Sequence, residues 1–275
     1  MRSYRTRGRW HRAGMGIALL LSVAAPVGAQ QVLPYRLKGL REGVLLGTGA
    51  ATFALAVDLN ARMDPLTTEE IAALDPSTIN GFDRPATERW APTASHVSDA
   101  VLIATVGGSV ATLALAPGDA GPTTIGVMFG ETILLSNGIS ELVKTVVRRT
   151  RPYVYNADPD ISVDEKTSKT ARQSFPSGHA INAFASAVFL STVYGHLHPN
   201  SSAKPWIWGG SMAAAGTVGY LRYSAGKHFP TDILTGAVLG GVIGWVIPEI
   251  HESDRVRVAV GPGAEGTVVG LSVEF

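Results

Sequence analysis

Cysteine is absent from the 275 residues. Disulfide frameworks, thiolate nucleophiles and Cys-bearing zinc sites are therefore excluded. Charged side chains make up only 16% of the chain, and Lys+Arg 23 against Asp+Glu 22 leaves a net charge of +1. No global field points to nucleic acid or another polyanion, so any charge-based function has to be local. Aromatics are sparse at 7%, and the uncharged apolar runs 43–57, 101–116 and 180–195 are about 15 or 16 residues, short of the roughly 20 a membrane span needs. There is no 20–50-residue repeat, and 31 glycines without a triplet period exclude collagen.

What is present is 45% hydrophobic residues, enough for a real core in one large domain. At the N-terminus Arg2, Arg5, Arg7, Arg9 and Arg12 precede an apolar run, Ala13 to Ala25, and the small-residue site Val27-Gly28-Ala29. This layout predicts a secretory signal peptide over 1–29, with an uncleaved anchor as the alternative. Helical patterns follow at roughly 40–61, 97–116, 123–149, 178–195, 206–222 and 231–247, predicting an all-α, six-helix bundle over 30–254. A short extra helix is expected at Thr67-x-x-Glu70, a capping box. The acidic stretch 58–96 reads as a solvated connection. After Asp254 the period changes to two, Val256, Val258 and Val260, then Val269, Leu271 and Val273, which predicts a C-terminal β-hairpin over 255–275 turning at Gly261-Pro262-Gly263.

Three segments concentrate unusual residues at helix ends. In the first, Lys144 and Arg151 are seven apart, which places them on one helical face, and Pro152 stops the helix. The bland alternative is a solvated basic cluster with Arg148 and Arg149. In the second, Pro176-Ser177-Gly178-His179 opens a helix: Ser177 is a favoured N-cap, and Gly178 lets the backbone approach an anion closely. In the third, His228 and Asp232 straddle a helix start, an arrangement that brings a carboxylate to one ring nitrogen. Arg222 lies six residues before His228. The remaining histidines, His11, His96, His196, His198 and His251, are expected in solvent, and Trp206, Trp208 and Trp245 in the core or an interface belt.

Taken in order, K-x6-RP, PSGH and R-x5-H-x3-D resemble the signature of the type 2 phosphatidic acid phosphatase (PAP2) family. That superfamily also holds bacterial acid phosphatases and vanadium haloperoxidases. One position departs from the pattern: Leu221 stands where the family usually has Ser. The resemblance implies a metal-independent phosphatase acting on phosphate monoesters or lipid phosphates and diphosphates. Lys144, Arg151 and Arg222 would hold the phosphoryl oxygens, with Ser177 and Gly178 completing the cradle. His228 would be the nucleophile, Asp232 its tautomer-fixing partner and His179 the proton donor. No cofactor is implied, except vanadate under the alternative of a haloperoxidase on the same site. A non-catalytic phospholipid-binding protein is the third reading. The expected partners are a phosphate-ester substrate, lipid included, and a membrane surface, with no nucleic acid. The expected location is the periplasm or its membrane face; an integral inner-membrane protein is the alternative.

Overall fold

The computed structural model describes residues 33–252, 256–263 and 266–273. The expected signal segment 1–29 lies outside the described residues. Among these residues there are eight α-helices and not six: α1 Gly39–Ala61, α2 Thr68–Ala72, α3 Pro92–Val110, α4 Gly121–Val147, α5 Val163–Lys166, α6 Gly178–Leu197, α7 Lys204–Ser224 and α8 Pro230–His251. The six expected from hydrophobic period are the long ones. The excess consists of α2, whose Thr67/Glu70 capping box forms as expected with bonds of 2.9 and 3.1 Å, and the single turn α5. Two strands, β1 Val256–Gly263 and β2 Gly266–Val273, pair antiparallel from Val256↔Val273 to Gly263↔Gly266. The ladder runs through Gly261-Pro262-Gly263, so this tripeptide is strand and not the expected turn.

The long helices alternate in direction. Small residues let them approach: α6 and α8 meet along Gly236, Gly240 and Gly244, where an added Cβ would overlap the carbonyl oxygens of Ser177, Ile181 and Ala185. Gly138 on α4 is equally tight against Thr52 and the Gly49 carbonyl of α1. The main apolar cluster, Ile125, Met128, Phe129, Phe189, Val193 and Ile247, ties α4, α6 and α8 together.

Four helices, Gly39–Ala61, Pro92–Leu115, Gly178–Leu197 and Pro230–His251, are long and apolar enough to cross a membrane. The uncharged runs underestimate them because each helix continues past the polar residue that ends its run. Their outer faces are apolar: Val44, Phe53 and Val57 on α1, and Leu234, Val238 and Val242 on α8, are exposed. Trp206, 82% exposed, Trp208 and Trp245 are outward-facing and not core. Contiguous apolar surface on this scale marks a membrane-associated protein.

The glycine seam is testable by substitution. Gly240→Ala should destabilise the protein by about 1–3 kcal/mol, because the α6 carbonyl it meets cannot move without repacking. Gly241→Ala, whose nearest neighbour is Val188 at 3.9 Å, should be neutral or slightly stabilising. Thermal unfolding of both variants in detergent separates them; equal midpoints would remove the seam's importance.

Candidate active site

Alternation of the helices brings the start of α3, the end of α4, the start of α6, the end of α7 and the start of α8 to one end of the bundle. Three helix N-termini with their unpaired N–H groups and partial positive charge therefore meet two C-terminal ends that carry Lys144 and Arg222. The expected cluster is assembled there, although two of its connections differ from expectation.

Lys144 sits on the last turn of α4, where its Nζ bonds Glu141 at 2.6 Å. Helix α4 ends at Val147, and Arg148 takes the left-handed conformation (φ 50°), so Arg151 does not share a helical face with Lys144. It arrives on an extended segment, fixed by its N–H to the Ala171 carbonyl and its Nε to the Thr170 carbonyl, both 2.8 Å. Ser177 caps α6, its Oγ accepting from the Ala180 N–H. A Cβ on Gly178 would lie 2.9 Å from Lys144 Nζ, so the glycine keeps the cation against the α6 N-terminus. Arg222 is buried on the last turn of α7, where one terminal nitrogen donates to Ser95 Oγ (2.9 Å) and Ser98 Oγ (3.3 Å) and lies 3.7 Å from Asp99. Its Nε has no protein partner.

His228, on the link between α7 and α8, is almost wholly buried, and its Nδ1–H donates to the Ser174 carbonyl at 2.7 Å. This bond, and not Asp232, sets the tautomer, because Asp232 Oδ2 stands 3.8 Å from Nδ1. Asp232 acts one step further out. It accepts from Ser174 Oγ (2.6 Å), from the Phe229 N–H (2.8 Å) and from Arg149, while its carbonyl accepts from the Ser177 N–H at 3.0 Å. One residue thus ties the support of His228 to the α6 cap. Burial, followed by the charges of Arg151, Arg222 and Lys144, holds His228 well below its ordinary value of 6.5. Three cations felt by one neutral ring describe a cradle for an anion.

Sequence reasoning missed several residues. His179 Nε2–H donates to Asp99 Oδ1 at 2.7 Å, leaving Nδ1 as its other titrating nitrogen. Ser95, Ser98 and Ser174 were not singled out, and Arg149 entered only as part of a basic cluster. Asp83 lies in the stretch expected to be solvated yet is fully buried. It pairs with Arg149 (2.7 Å) and takes both the N–H (3.0 Å) and Oγ1 (2.7 Å) of Thr231. The only local hint was an Asn80-x-x-Asp83 turn, which forms. In the 153–175 loop, Tyr153 is buried against Trp90, and Glu165 pairs with Lys227.

Residues 126–255 match the family model of the PAP2 superfamily. The chain is 36% identical over 107 residues to a decaprenylphosphoryl-5-phosphoribose phosphatase of Mycolicibacterium smegmatis, covering 39% of this chain and 49% of that protein. It is 36% identical over 97 residues to a lipid A 4'-phosphatase of Bacteroides thetaiotaomicron, covering 35% and 40%. The chain thus spans about half the length, or less, of these curated relatives. A transmembrane PAP2-type phosphatidylglycerolphosphate phosphatase from Bacillus subtilis aligns with a TM-score of 0.42 and 21% identity over 74% of this chain and 95% of the other.

The depressed His228 has a consequence for acid stability. Below pH 6.5 the unfolded chain takes up a proton that the folded ring refuses, so stability should fall with pH by up to about 1.4 kcal/mol per unit until the folded ring titrates. His228→Gln should flatten that share of the curve. Unfolding midpoints at pH 7.5, 6.5 and 5.5 for both proteins test this, and parallel curves would remove His228 as the cause.

Proposed function

We propose, from a PAP2-superfamily segment at residues 126–255 whose motif residues meet at one end of the bundle, that this protein is a membrane phosphatase acting on lipid phosphates. The observation that carries the reading is the neutral, buried His228, its Nδ1 proton held by the Ser174 carbonyl and its ring set in the field of three cations. That arrangement leaves the Nε2 lone pair as nucleophile. Lys144, Arg151 and Arg222 neutralise the phosphoryl oxygens, with the α6 N–H groups beyond Ser177 and Gly178 adding donors. This charge neutralisation takes the place a metal holds in other phosphatases.

In the first step Nε2 attacks phosphorus, the P–O ester bond breaks, and His179 gives its proton to the leaving oxygen. In the second, water delivered with His179 as base releases phosphate from the phosphohistidine. Asp99 steadies the His179 imidazolium, and Asp232 acts as a positioning residue through Ser174.

A lipid substrate is supported by shape. An apolar groove of about 600 Å³ is lined by Phe53 of α1, Val106 of α3 and Phe129, Ile133 and Leu134 of α4. It shares Phe53 and Asn137 with a smaller hollow of about 180 Å³ that reaches Glu141, the partner of Lys144. A hydrocarbon tail in the groove would hold its phosphate at the cation cradle. Exposed apolar helix faces favour an integral protein with the site at a membrane surface; export by the 1–29 segment starts α1 on the periplasmic side, so a periplasmic site requires that α1 not cross.

Purified protein should release phosphate from a dodecyl or prenyl phosphate in detergent without added metal, and His228→Gln should abolish this activity. Unchanged hydrolysis by that variant would end the reading. Ser174→Ala keeps the carbonyl on His228 but loses the bond to Asp232, so kcat should drop about tenfold with KM little changed. Loss as complete as in His228→Gln would instead make the Ser174 hydroxyl part of the chemistry.

A further inference from the structure

At the opposite end of the bundle from the cation cradle, three buried groups converge without a satisfactory partner. Glu42 comes from the first turn of α1, Glu131 from the middle of α4 and His251 from the last residue of α8. Glu131 and His251 are both 0% exposed, and Glu42 is 8% exposed. His251 Nδ1 donates to the Ile247 carbonyl at 2.7 Å, which turns Nε2 toward the two carboxylates. Nε2 lies 3.1 Å from Glu42 Oε1 and 3.2 Å from Glu131 Oε2.

These distances are short enough for hydrogen bonds, but the directions are wrong. His251 Nε2, both oxygens of Glu131 and Glu42 Oε2 all lack a hydrogen-bond partner. Such sideways approaches are what one ion demands. With metal–ligand bonds of about 2.0–2.2 Å, neighbouring donors sit roughly 2.9–3.5 Å apart, and each oxygen lies well off the imidazole lone-pair axis because the ion occupies that axis. The backbone carbonyl on the far ring nitrogen is the usual outer support of a metal-bound histidine. Two carboxylates left buried without a cation would be expensive. Arg41, bonded to Glu42 Oε1 at 2.6 Å and to the Ile250 carbonyl, offsets only one of them.

We propose that Glu42, Glu131 and His251 bind a divalent first-row transition ion, of which zinc is representative. The ion staples the distal ends of α1 and α8 to the middle of α4, and the ligand chemistry, one imidazole with carboxylate oxygens, suits zinc or manganese over calcium. Glu131 precedes Lys144 by thirteen residues of the same helix, about 20 Å, so the site is structural and independent of the phosphatase reading. A second group, His196 of α6 with Glu249 and Glu252 at the end of α8, is only partly buried, so water reaches its ligand atoms, and it serves as a control.

The test uses tag-free full-length protein in detergent, stripped with dipicolinate and dialysed. Elemental analysis after zinc titration should give one tightly held equivalent, and zinc should raise the unfolding midpoint by roughly 5 °C or more. Glu131→Gln and His251→Gln should each weaken zinc binding at least about tenfold and lose the midpoint shift, while His196→Ala keeps both. No tight equivalent in the stripped wild type would overturn the proposal, as would full retention by both buried-site variants. So would loss in His196→Ala alone. Should neither buried variant fold, cobalt added to stripped wild type decides: visible d–d absorption of a nitrogen and oxygen site, displaced by zinc, supports the assignment, and a spectrum of free aqueous cobalt refutes it.

Discussion

The contact between the backbones of α6 and α8 is the constraint from which the site follows. Three glycines at four-residue spacing on α8 lie against three successive-turn carbonyls of α6, so neither helix can slide or rotate without collision. The first of those carbonyls belongs to Ser177, the N-cap whose own N–H is bonded to the Asp232 carbonyl. The motif carrying His179 and the motif carrying Asp232 are therefore locked in register by main chain, and His228 is placed by what Asp232 holds. An arrangement built on backbone contacts tolerates concentrated like charge better than one built on side chains, because its geometry does not relax when cations repel.

Repulsion among Lys144, Arg151 and Arg222 is managed locally. Each has a neutral or acidic partner on the side away from the cradle: Glu141 for Lys144, the Thr170 carbonyl for Arg151, and Ser95 and Ser98 for Arg222. These partners fix direction without cancelling the field that His228 feels. The cost falls on the ring, which stays neutral, and neutrality is what the proposed attack by its imidazole requires.

Helix positions and the motif residues were readable from sequence because they depend on local chemistry: hydrophobic period, the Ser177 and Thr67 caps, Pro and Gly punctuation. The supports were not readable. Ser174 reaches His228 through a main-chain carbonyl, which has no residue signature. Asp83 and Asp99 look like any acid in a polar connection or near the start of a helix until distant arginine and histidine partners are brought to them. His251 was expected in solvent because it ends a helix, and only the packing of α1 and α4 over that end encloses it. The spacing of His228 and Asp232 correctly suggested proximity but not the intervening Ser174 carbonyl.

Burial of Asp83 and the placement of Asp99 give the connection ahead of α3 a standing that the recognisable segment 126–255 does not convey. Arg149, Thr231, His179 and Arg222 all lean on side chains contributed by residues 83–99. The smallest unit able to work is consequently larger than the stretch by which kinship is detected. A graft or trimmed version cut at that boundary would carry every signature residue yet leave Arg222 and His179 without the side chains that hold them.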